Sequence, residues 1–325
     1  MGRSFYERRF GWPVTKLLEN DLLLFSRKPL VGSLVFSPSL AMSFPNFCTH
    51  IDLDGAWPER FADVLSIDCR HWGRRLRYSA YARELDLFHE SVRASLGQFT
   101  LFGSGDFHHL SALWLRHLAE PFTLVSFDNH PDWDTRPPRW CCGTWINRAL
   151  ELPLLKKAVI WGCGNYELNW PGNLFINRQA LREKRLDVWP WARSLNTASL
   201  KRWRGILRED WREHFTAFAR QLAGEKVYIT VDLDCLAQNE SATNWENGHF
   251  TAGDIAWALG ELRSMTEVIG GDLCGAYSPP KYARWKQRIE ASLDHPKNLP
   301  FSFAEAQALN SRAFQQIWPV LTRRN

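Results

Sequence analysis

The chain has 325 residues, of which 45% are hydrophobic and 23% are charged, a composition typical of globular proteins rather than of disordered chains. Its formal net charge of +5 comes without a dense block of lysine and arginine, which argues against nucleic acid binding. The apolar stretch at 17–36 is interrupted by charged residues and the first ten residues are polar, so neither a membrane span nor an export signal is expected. Seven scattered cysteines then predict a reduced, cytoplasmic chain without a disulfide framework.

Short apolar runs alternate with helical patterns along the chain. The runs lack a clean alternation of apolar and polar residues, which is typical of parallel strands covered on both faces. The predicted strands are residues 63–69, 123–128, 158–164, 226–234 and 267–275, and the predicted helices are residues 106–120, 208–224 and 251–265. This alternation predicts a single doubly wound α/β domain, in which the chemistry lies beyond the carboxyl ends of the strands.

The strand at 123–128 ends in a charged segment, SFDNHPDWD, at 126–134. Asp128 and His130 are two residues apart and therefore share one face of an extended strand. Pro131 breaks the strand, and the turn that follows is expected to bring Asp132 back toward the same point. By itself, this segment is equally compatible with a capping turn.

The strand at 226–234 ends in the same way, with Asp232 and Asp234 two residues apart. Carboxylates at buried strand ends repel one another and lose hydration, and a bound cation removes both penalties. One such pair alone is equally compatible with a solvated loop, whereas two clusters that both end apolar strands favour a metal site. Carboxylate and imidazole ligands suit Mn²⁺, while sites rich in cysteine and histidine suit Zn²⁺ better.

Three segments resemble motifs of the arginase and agmatinase superfamily, the ureohydrolases. FDNHPD resembles the D-A-H-x-D signature, TVDLDCL resembles the S-x-D-x-D segment, and FGSGDFHHLS resembles the G-G-D-H-S turn, which contributes a histidine ligand. An ungapped match of the third segment places His108 at the ligand position, with His109 as the alternative. The two aspartate motifs are specific, the histidine motif is looser, and the resemblance runs from about residue 100 to 280.

The resemblance implies a three-layer α/β/α arginase-like fold with a mainly parallel central sheet and a centre of two Mn²⁺ ions. The whole chain, residues 1–325, would form one such domain, with 1–50 and 281–325 as extensions that form flaps, edge helices or the interface of a homo-oligomer. Carried over by position, Asp128 and Asp232 bridge the two ions, His108 and Asp132 complete one ion, and His130 and Asp234 complete the other.

The chain departs from the family at two functional positions. CCGTWINRAL resembles the H-G-T-x-F-x-R-A segment, but Cys142 stands where the family has a histidine that shuttles protons. Cys142 either relays protons or simply packs, and His249 either replaces the shuttle or is a surface loop residue. The substrate-binding glutamate of arginases falls on Gly275 or Ala276, which leaves Asp272 as the nearest carboxylate, either at the substrate or in a structural ion pair.

These features resemble a divergent branch that includes peptide arginases, which convert arginine residues within ribosomal peptides to ornithine. The implied function is a binuclear Mn²⁺ hydrolase of C–N bonds that acts on a guanidino group of a small molecule or a peptide, with no nucleic acid or membrane partner. Two alternatives stay open: an amide hydrolase similar to the deacetylases of this superfamily, and a non-catalytic protein that retains the metal site.

Overall fold

One eight-stranded sheet forms the centre of the chain. The computed structural model describes residues 44, 46–58, 61, 63–138, 140–296 and 300–324. The strands are β1 (Asn46–Asp52), β2 (Leu65–Asp68), β3 (Gly97–Phe102), β4 (Phe122–Phe127), β5 (Leu155–Trp161), β6 (Leu186–Trp189), β7 (Lys226–Asp232) and β8 (Glu267–Cys274). Every neighbouring pair is parallel, in the order β2-β1-β3-β8-β7-β4-β5-β6.

The α-helices of the described residues vary from single turns to five turns. They are α1 (Arg70–Leu76), α2 (Ala82–Val92), α3 (Ser111–Trp114), α4 (Trp145–Ala149), α5 (Arg178–Arg182), α6 (Thr197–Leu200), α7 (Trp211–Gln221), α8 (Ala252–Met265), α9 (Trp285–Asp294) and α10 (Phe303–Leu321). The predicted helices at 208–224 and 251–265 correspond to α7 and α8. The side chain of Thr251 accepts from the backbone of Asp254 in the expected capping box at the start of α8.

Both faces of the sheet are covered, because the side chains of each strand alternate between two hydrophobic clusters. In β4, Leu124 packs in the cluster that includes α1, α2 and α3. The next residue, Val125, packs in the cluster that includes α7, α8 and α10. The predicted three-layer α/β/α architecture with a parallel sheet is therefore confirmed, and the burial of both faces explains the continuous apolar runs.

The five predicted strands are all present with small shifts of their ends, and β1, β3 and β6 were missed. β1 reads NFCTHID and mixes polar with apolar residues, so its sequence shows neither an apolar run nor a clear alternation. β3 begins with Gly97 and Gln98, which are poor strand formers. β6 has only four residues at the sheet edge.

The prediction of one helix at 106–120 was wrong. The segment forms a 3₁₀ helix (Gly105–Leu110), the short α3 and a second 3₁₀ turn (Leu115–His117). Residues 105–115 are buried without exception, so contacts on every side, rather than one amphipathic face, decide the local conformation. The result is an irregular segment that carries two histidines into the interior.

The C-terminal extension is part of the fold. Ala313 and Ile317 of α10 are fully buried in the cluster of α7 and α8, and residues 42–325 form one compact unit. Residues 1–43 of the predicted N-terminal extension lie outside the described residues. The single domain over 1–325 therefore stays a prediction. Among the described residues, no helix has both the length and the hydropathy needed to cross a bilayer.

Candidate metal centre

The carboxyl ends of β4, β7 and β8 lie side by side and bring the predicted ligands together. Phe127 of β4 pairs with Val231 of β7, so Asp128 and Asp232 follow at neighbouring positions. Asp232 pairs in turn with Cys274 at the end of β8. The loops that carry the remaining ligands start from this edge of the sheet, where α/β proteins place their functional sites.

His108 reaches the same edge from the irregular segment after β3. Its Nδ1 atom lies 3.1 Å from Oδ2 of Asp128 and 3.4 Å from Oδ2 of Asp232. Oδ2 of Asp132 is also 3.4 Å away, because the turn after Pro131 reverses the chain and Asp132 adopts a φ of 48°. The groups of side chains that could hold a cation include His108 and not His109 among the described residues.

His130 approaches from the other side of Asp128. Its Nδ1 atom lies 2.8 Å from Oδ2 of Asp234 and 3.6 Å from Oδ1 of Asp128. Its Nε2 atom faces outward and lies 3.5 Å from Oε2 of Glu246. The imidazole ring also contacts the indole of Trp245 edge to face, with 5.1 Å between the ring centroids.

Two possible cation sites share Asp128. One group contains His108, Asp128 and Asp132, the other contains Asp128, His130 and Asp234, and within each group the candidate ligand atoms lie within 4.8 Å of one another. The side chains of all six predicted metal ligands are only 2–10% exposed. A third group joins Asp232 to His108 and Cys274, so the predicted bridging role of Asp232 stays a prediction.

Backbone amides hold the carboxylates in place. The N–H of His130 donates to Oδ1 of Asp128 at 2.7 Å, and the N–H of Asn129 donates to Oδ1 of Asp234 at 3.0 Å. The N–H of Asp234 donates to Oδ1 of Asp232 at 3.0 Å. Each of these bonds fixes one carboxylate oxygen and leaves the other oxygen directed toward the histidines, which is the orientation that a ligand needs.

A relay of hydrogen bonds sets the tautomer of His108. Thr230 Oγ1 donates its only hydrogen to Oδ1 of Asp272 at 2.5 Å, so at its 2.9 Å contact with His108 Nε2 it acts as an acceptor. A neutral His108 therefore carries its hydrogen on Nε2 and presents the Nδ1 lone pair to the carboxylates. Hydrogen bonds of this kind behind a histidine ligand orient the ring and raise its basicity.

Asp272 lies behind His108, on the far side of Thr230. Its carboxylate is fully buried and accepts hydrogen bonds from Thr230, Tyr228 and Ser111. All three donors are neutral. Among the described residues, Asp272 forms no ion pair with a lysine or an arginine. The structure thus places Asp272 among buried neutral donors behind His108, and its predicted part at the substrate stays a prediction.

Repulsion between the carboxylates shows in their pKa values. Burial, together with the charge of Asp128, raises the pKa of Asp132 to about 8. Burial and the charge of Asp234 raise the pKa of Asp232 to about 8, and burial and the charge of Asp128 raise the pKa of Asp234 to about 6. Without a cation the cluster therefore retains protons at neutral pH, as expected for carboxylates brought together to share a positive charge.

The two histidines respond in the opposite direction. Burial alone would lower the pKa of His108, but the hydrogen bonds that its protonated ring donates to Asp128 and Asp132 outweigh burial and raise that pKa well above its usual value. The same competition raises the pKa of His130, chiefly through the charge of Asp234. The two protonated imidazole rings therefore balance part of the negative charge of the carboxylates in the metal-free protein.

The position of the family's substrate-binding glutamate is closed at Gly275. This residue has a φ of 97°, and a Cβ atom there would lie 2.2 Å from Oδ1 of Asp232 and 2.4 Å from the backbone N of Leu233. The neighbouring Ala276 is fully buried. Gly275 has no room for a side chain in this arrangement, so a glycine is needed there for Asp232 to hold its place.

We expect Gly275→Ala to disrupt the centre. The new methyl group displaces Asp232, and the positive φ adds strain, so the variant should lose roughly 1–3 kcal/mol of stability. Metal content and thermal unfolding measure both effects. The matched control is Gly143→Ala, because a Cβ atom at Gly143 meets no atom within 4 Å. Normal metal content in Gly275→Ala would contradict the steric argument.

The two candidate proton shuttles differ in their surroundings. Cys142 is buried, and burial raises the pKa of its thiol well above the usual value, so the neutral thiol favours packing over proton transfer. His249 is half-buried, with Nε2 at 3.5 Å from Oγ of Ser194. The N–H of Gly248, one residue before His249, donates to the backbone oxygen of Asp234, which places His249 beside the centre, and its shuttle role stays a prediction.

A buried ion pair that the sequence did not predict lies beside the centre. The Nε atom of Arg77 lies 2.7 Å from Oδ2 of Asp106, and Oδ1 of Asp106 accepts from Trp245 at 3.1 Å and lies 2.8 Å from Nε2 of His295. Asp106 therefore anchors the turn before His108 and is not itself a ligand. Trp145, also missed, donates from its Nε1 to Oδ2 of Asp132 at 2.6 Å.

No family model matches the chain. A protein from Thermotoga maritima, described as uncharacterized, is 26% identical over 214 residues, which cover 66% of this chain and 71% of that protein.

Several solved structures are similar to the chain. A proclavaminate amidino hydrolase from Streptomyces clavuligerus is 14% identical, with 84% of this chain and 94% of that chain covered and a TM-score of 0.47. A formimidoylglutamase from Bacillus subtilis is 10% identical, with 82% and 88% covered and a TM-score of 0.47. Others are named as arginases and agmatinases.

Proposed function

We propose that this protein is a metal-dependent hydrolase of C–N bonds in the arginase and agmatinase superfamily. It would hold two Mn²⁺ ions, and its reaction would release urea from a guanidino group. The observation that carries this proposal is the sharing of Asp128 by two buried groups of ligands, each with one histidine and one further aspartate. A shared carboxylate between two such groups is the arrangement expected of a two-metal site.

The chemistry of the donors fits Mn²⁺ better than Zn²⁺. Oxygen donors predominate and two imidazoles complete the set. Among the described residues, Cys274 is the one cysteine in a candidate ligand group, and its Sγ donates to Oδ2 of Asp232 at 3.4 Å. Burial raises the pKa of this thiol well above its usual value, so a metal ion would have to displace the thiol proton before Cys274 could bind it.

The reaction consumes one water molecule. Bound Mn²⁺ ions would supply a water activated at neutral pH and stabilise the negative charge that develops during its attack on the guanidino carbon. The bond between that carbon and the substituted nitrogen breaks, and the nitrogen leaves as an amine after it accepts a proton. The products are urea and, from an arginine side chain, ornithine. The buried aspartates and histidines hold the ligand geometry and exclude bulk water from the centre.

An arginine residue within a peptide is the proposed substrate. Gly275 leaves no room for the carboxylate with which arginases contact the guanidinium. Other groups therefore have to orient the guanidino group of the substrate. A peptide offers contacts remote from the reacting carbon, and binding energy from such contacts can position the guanidino group.

Urea release with metal analysis tests the proposed function. We expect protein loaded with Mn²⁺ to contain about two equivalents, as a two-metal site requires, and to release urea from blocked arginine peptides with a higher kcat/KM than from free arginine or agmatine. Efficient turnover of free arginine would contradict the peptide substrate.

Two other outcomes would favour a different function. A single Zn²⁺ ion with cleavage of an acetylated amine would favour amide hydrolysis, which the absence of a carboxylate at Gly275 also permits. Two metal equivalents with no urea from any guanidino compound would favour a binding protein that retains the centre.

A further inference from the structure

A cavity of about 700 Å³ lies beside helix α9, close to the candidate metal centre. His295 lines the cavity, and its ring contacts the indole of Trp245 with 4.9 Å between the centroids. The same indole contacts the imidazole of His130 at 5.1 Å, so the wall of the cavity and a predicted metal ligand touch one common ring. Helix α9 contributes Trp285, Arg288 and Ser292 to the wall.

The cavity carries a positive charge that its own walls do not neutralise. None of the described residues that line it is acidic. Arg284 donates to Oε2 of Glu84 and to two backbone oxygens, and Nε2 of His295 lies 2.8 Å from the buried carboxylate of Asp106. Arg288, in contrast, is exposed and forms no side-chain hydrogen bond or ion pair with the described residues. Its guanidinium can therefore meet an anionic ligand without breaking an existing contact.

An exposed apolar stripe runs along α9 next to Arg288. Trp285, Ile289 and Leu293 are four residues apart and so share one face of the helix, yet they are 76%, 50% and 46% exposed. Exposed apolar side chains gathered in one patch are typical of surfaces that bind another molecule. Because Trp285 also lines the cavity, an apolar contact surface adjoins the guanidinium of Arg288.

We infer that this cavity binds a carboxylate of the peptide substrate, with Arg288 as its ion-pair partner and Trp285 in contact with the adjoining part of the peptide. This inference rests on the proposed function. A guanidinium presents a planar fork that matches the two oxygens of a carboxylate. An extended peptide advances about 3.3 Å per residue, so a carboxylate a few residues from the reacting arginine can reach the cavity while that arginine lies at the centre.

Such a contact selects the substrate without touching the reacting carbon. The binding energy of the carboxylate positions the rest of the peptide, and a peptide without an acidic group loses that contribution. Because Arg288 is exposed, water and salt weaken the ion pair, so we expect a preference of about fivefold for an acidic peptide. The preference should fall as the salt concentration rises.

The test uses alanine peptides with one arginine and blocked termini. Glutamate or glutamine replaces one alanine at successive positions on either side of the arginine, and a neutral peptide with a free carboxyl terminus separates a terminal carboxylate from an acidic side chain. The dissociation constant and kcat/KM for urea release are measured with Mn²⁺-loaded wild type, Arg288→Gln and Arg312→Gln. Arg312 is the matched control, since it is an exposed arginine on α10 that forms no side-chain hydrogen bond or ion pair with the described residues.

We expect wild type and Arg312→Gln to prefer the glutamate peptide at one or two positions, or the free terminus, and Arg288→Gln to show no preference. Equal values for the glutamate and glutamine peptides at every position and no preference for the free terminus, with urea released by wild type, would overturn the inference and leave the proposed function standing. A preference that Arg288→Gln retains, or that Arg312→Gln loses to the same extent, would reflect the net charge of the protein and would overturn the inference as well.

The binding measurement decides the case in which no peptide releases urea, which would contradict the proposed function. Tighter binding of an acidic peptide that depends on Arg288 would then support the carboxylate site and overturn its part in substrate selection. Equal binding of all peptides would overturn both.

Discussion

Replacing Asp128 with asparagine is expected to abolish activity and to weaken both metal sites at once. Asp128 is the one residue common to both buried groups of ligands, so its charge offsets the repulsion between two cations. We expect the metal content to fall from about two equivalents to less than about one, and kcat/KM to fall by at least about 1000-fold, since bound ions supply several kcal/mol of transition-state stabilisation. Metal analysis and urea release measure the two effects.

The controls for this variant separate a shared ligand from a general loss of structure. Asp132→Asn changes a carboxylate found in only one of the two groups, so we expect it to remove mainly one ion. Asp187→Asn, at a 42% exposed side chain paired with Lys157, should retain both ions and full activity. If Asp128→Asn loses only one equivalent and Asp132→Asn loses two, the assignment of the shared ligand is wrong.

The two histidines of the irregular segment provide an independent check on the ligand set. We expect His108→Ala to lose metal because Nδ1 of His108 faces Asp128. His109→Ala removes a fully buried neighbour whose pKa burial lowers to about 3, so we expect a less stable protein that still binds two ions. Metal content at a temperature well below unfolding separates the variants, and the reverse pattern would shift the histidine ligand by one residue.

The clustering of the candidate ligands could be predicted because its signals are local. Asp128, His130 and Asp132 follow one buried strand, and Asp232 and Asp234 follow another, so strand direction alone places their side chains at one sheet edge. The choice of His108 as a candidate ligand depended on the resemblance to a family motif, since a histidine in an apparent helix gives no indication of its partners. Its segment was predicted as a regular helix, and burial on all sides made that prediction wrong.

The supporting residues could not be predicted because their partners are distant in sequence. Thr230 and Asp272 meet only after β7 and β8 pair, and Arg77 meets Asp106 only after α1 packs beside the turn. No spacing rule connects such residues along the chain. The closure of Gly275 likewise depends on its contact with Asp232, so the sequence showed a missing carboxylate without showing why none fits there.

Metal binding is expected to release protons and to strengthen steeply with pH. The folded, metal-free chain holds Asp132 and Asp232 with pKa values of about 8, because burial and neighbouring carboxylates disfavour their ionisation, while both would titrate near their ordinary value of 3.8 when unfolded. Between these limits the two carboxyls bind more protons in the folded than in the unfolded state, so their contribution to the free energy of unfolding of the metal-free protein falls as pH rises from about 4 to 8. The raised pKa values of His108 and His130 act in the same direction above their ordinary pKa of 6.5.

A bound cation reverses this trend, since a metal ligand must be deprotonated. Each proton released per chain changes the apparent metal affinity about tenfold per pH unit, so release of two protons predicts a rise of roughly 100-fold per unit near neutral pH. Calorimetry of Mn²⁺ binding in buffers of different ionisation enthalpy counts the protons released. Thermal unfolding with and without Mn²⁺ at pH 6 and pH 8 shows whether stability rises or falls with pH. The metal-free protein should be less stable at pH 8, and the stabilisation by Mn²⁺ should be larger there. A metal-free protein that gains stability from pH 6 to pH 8, or Mn²⁺ binding without proton release, would show that the carboxylates are already ionised and that their repulsion does not drive metal binding.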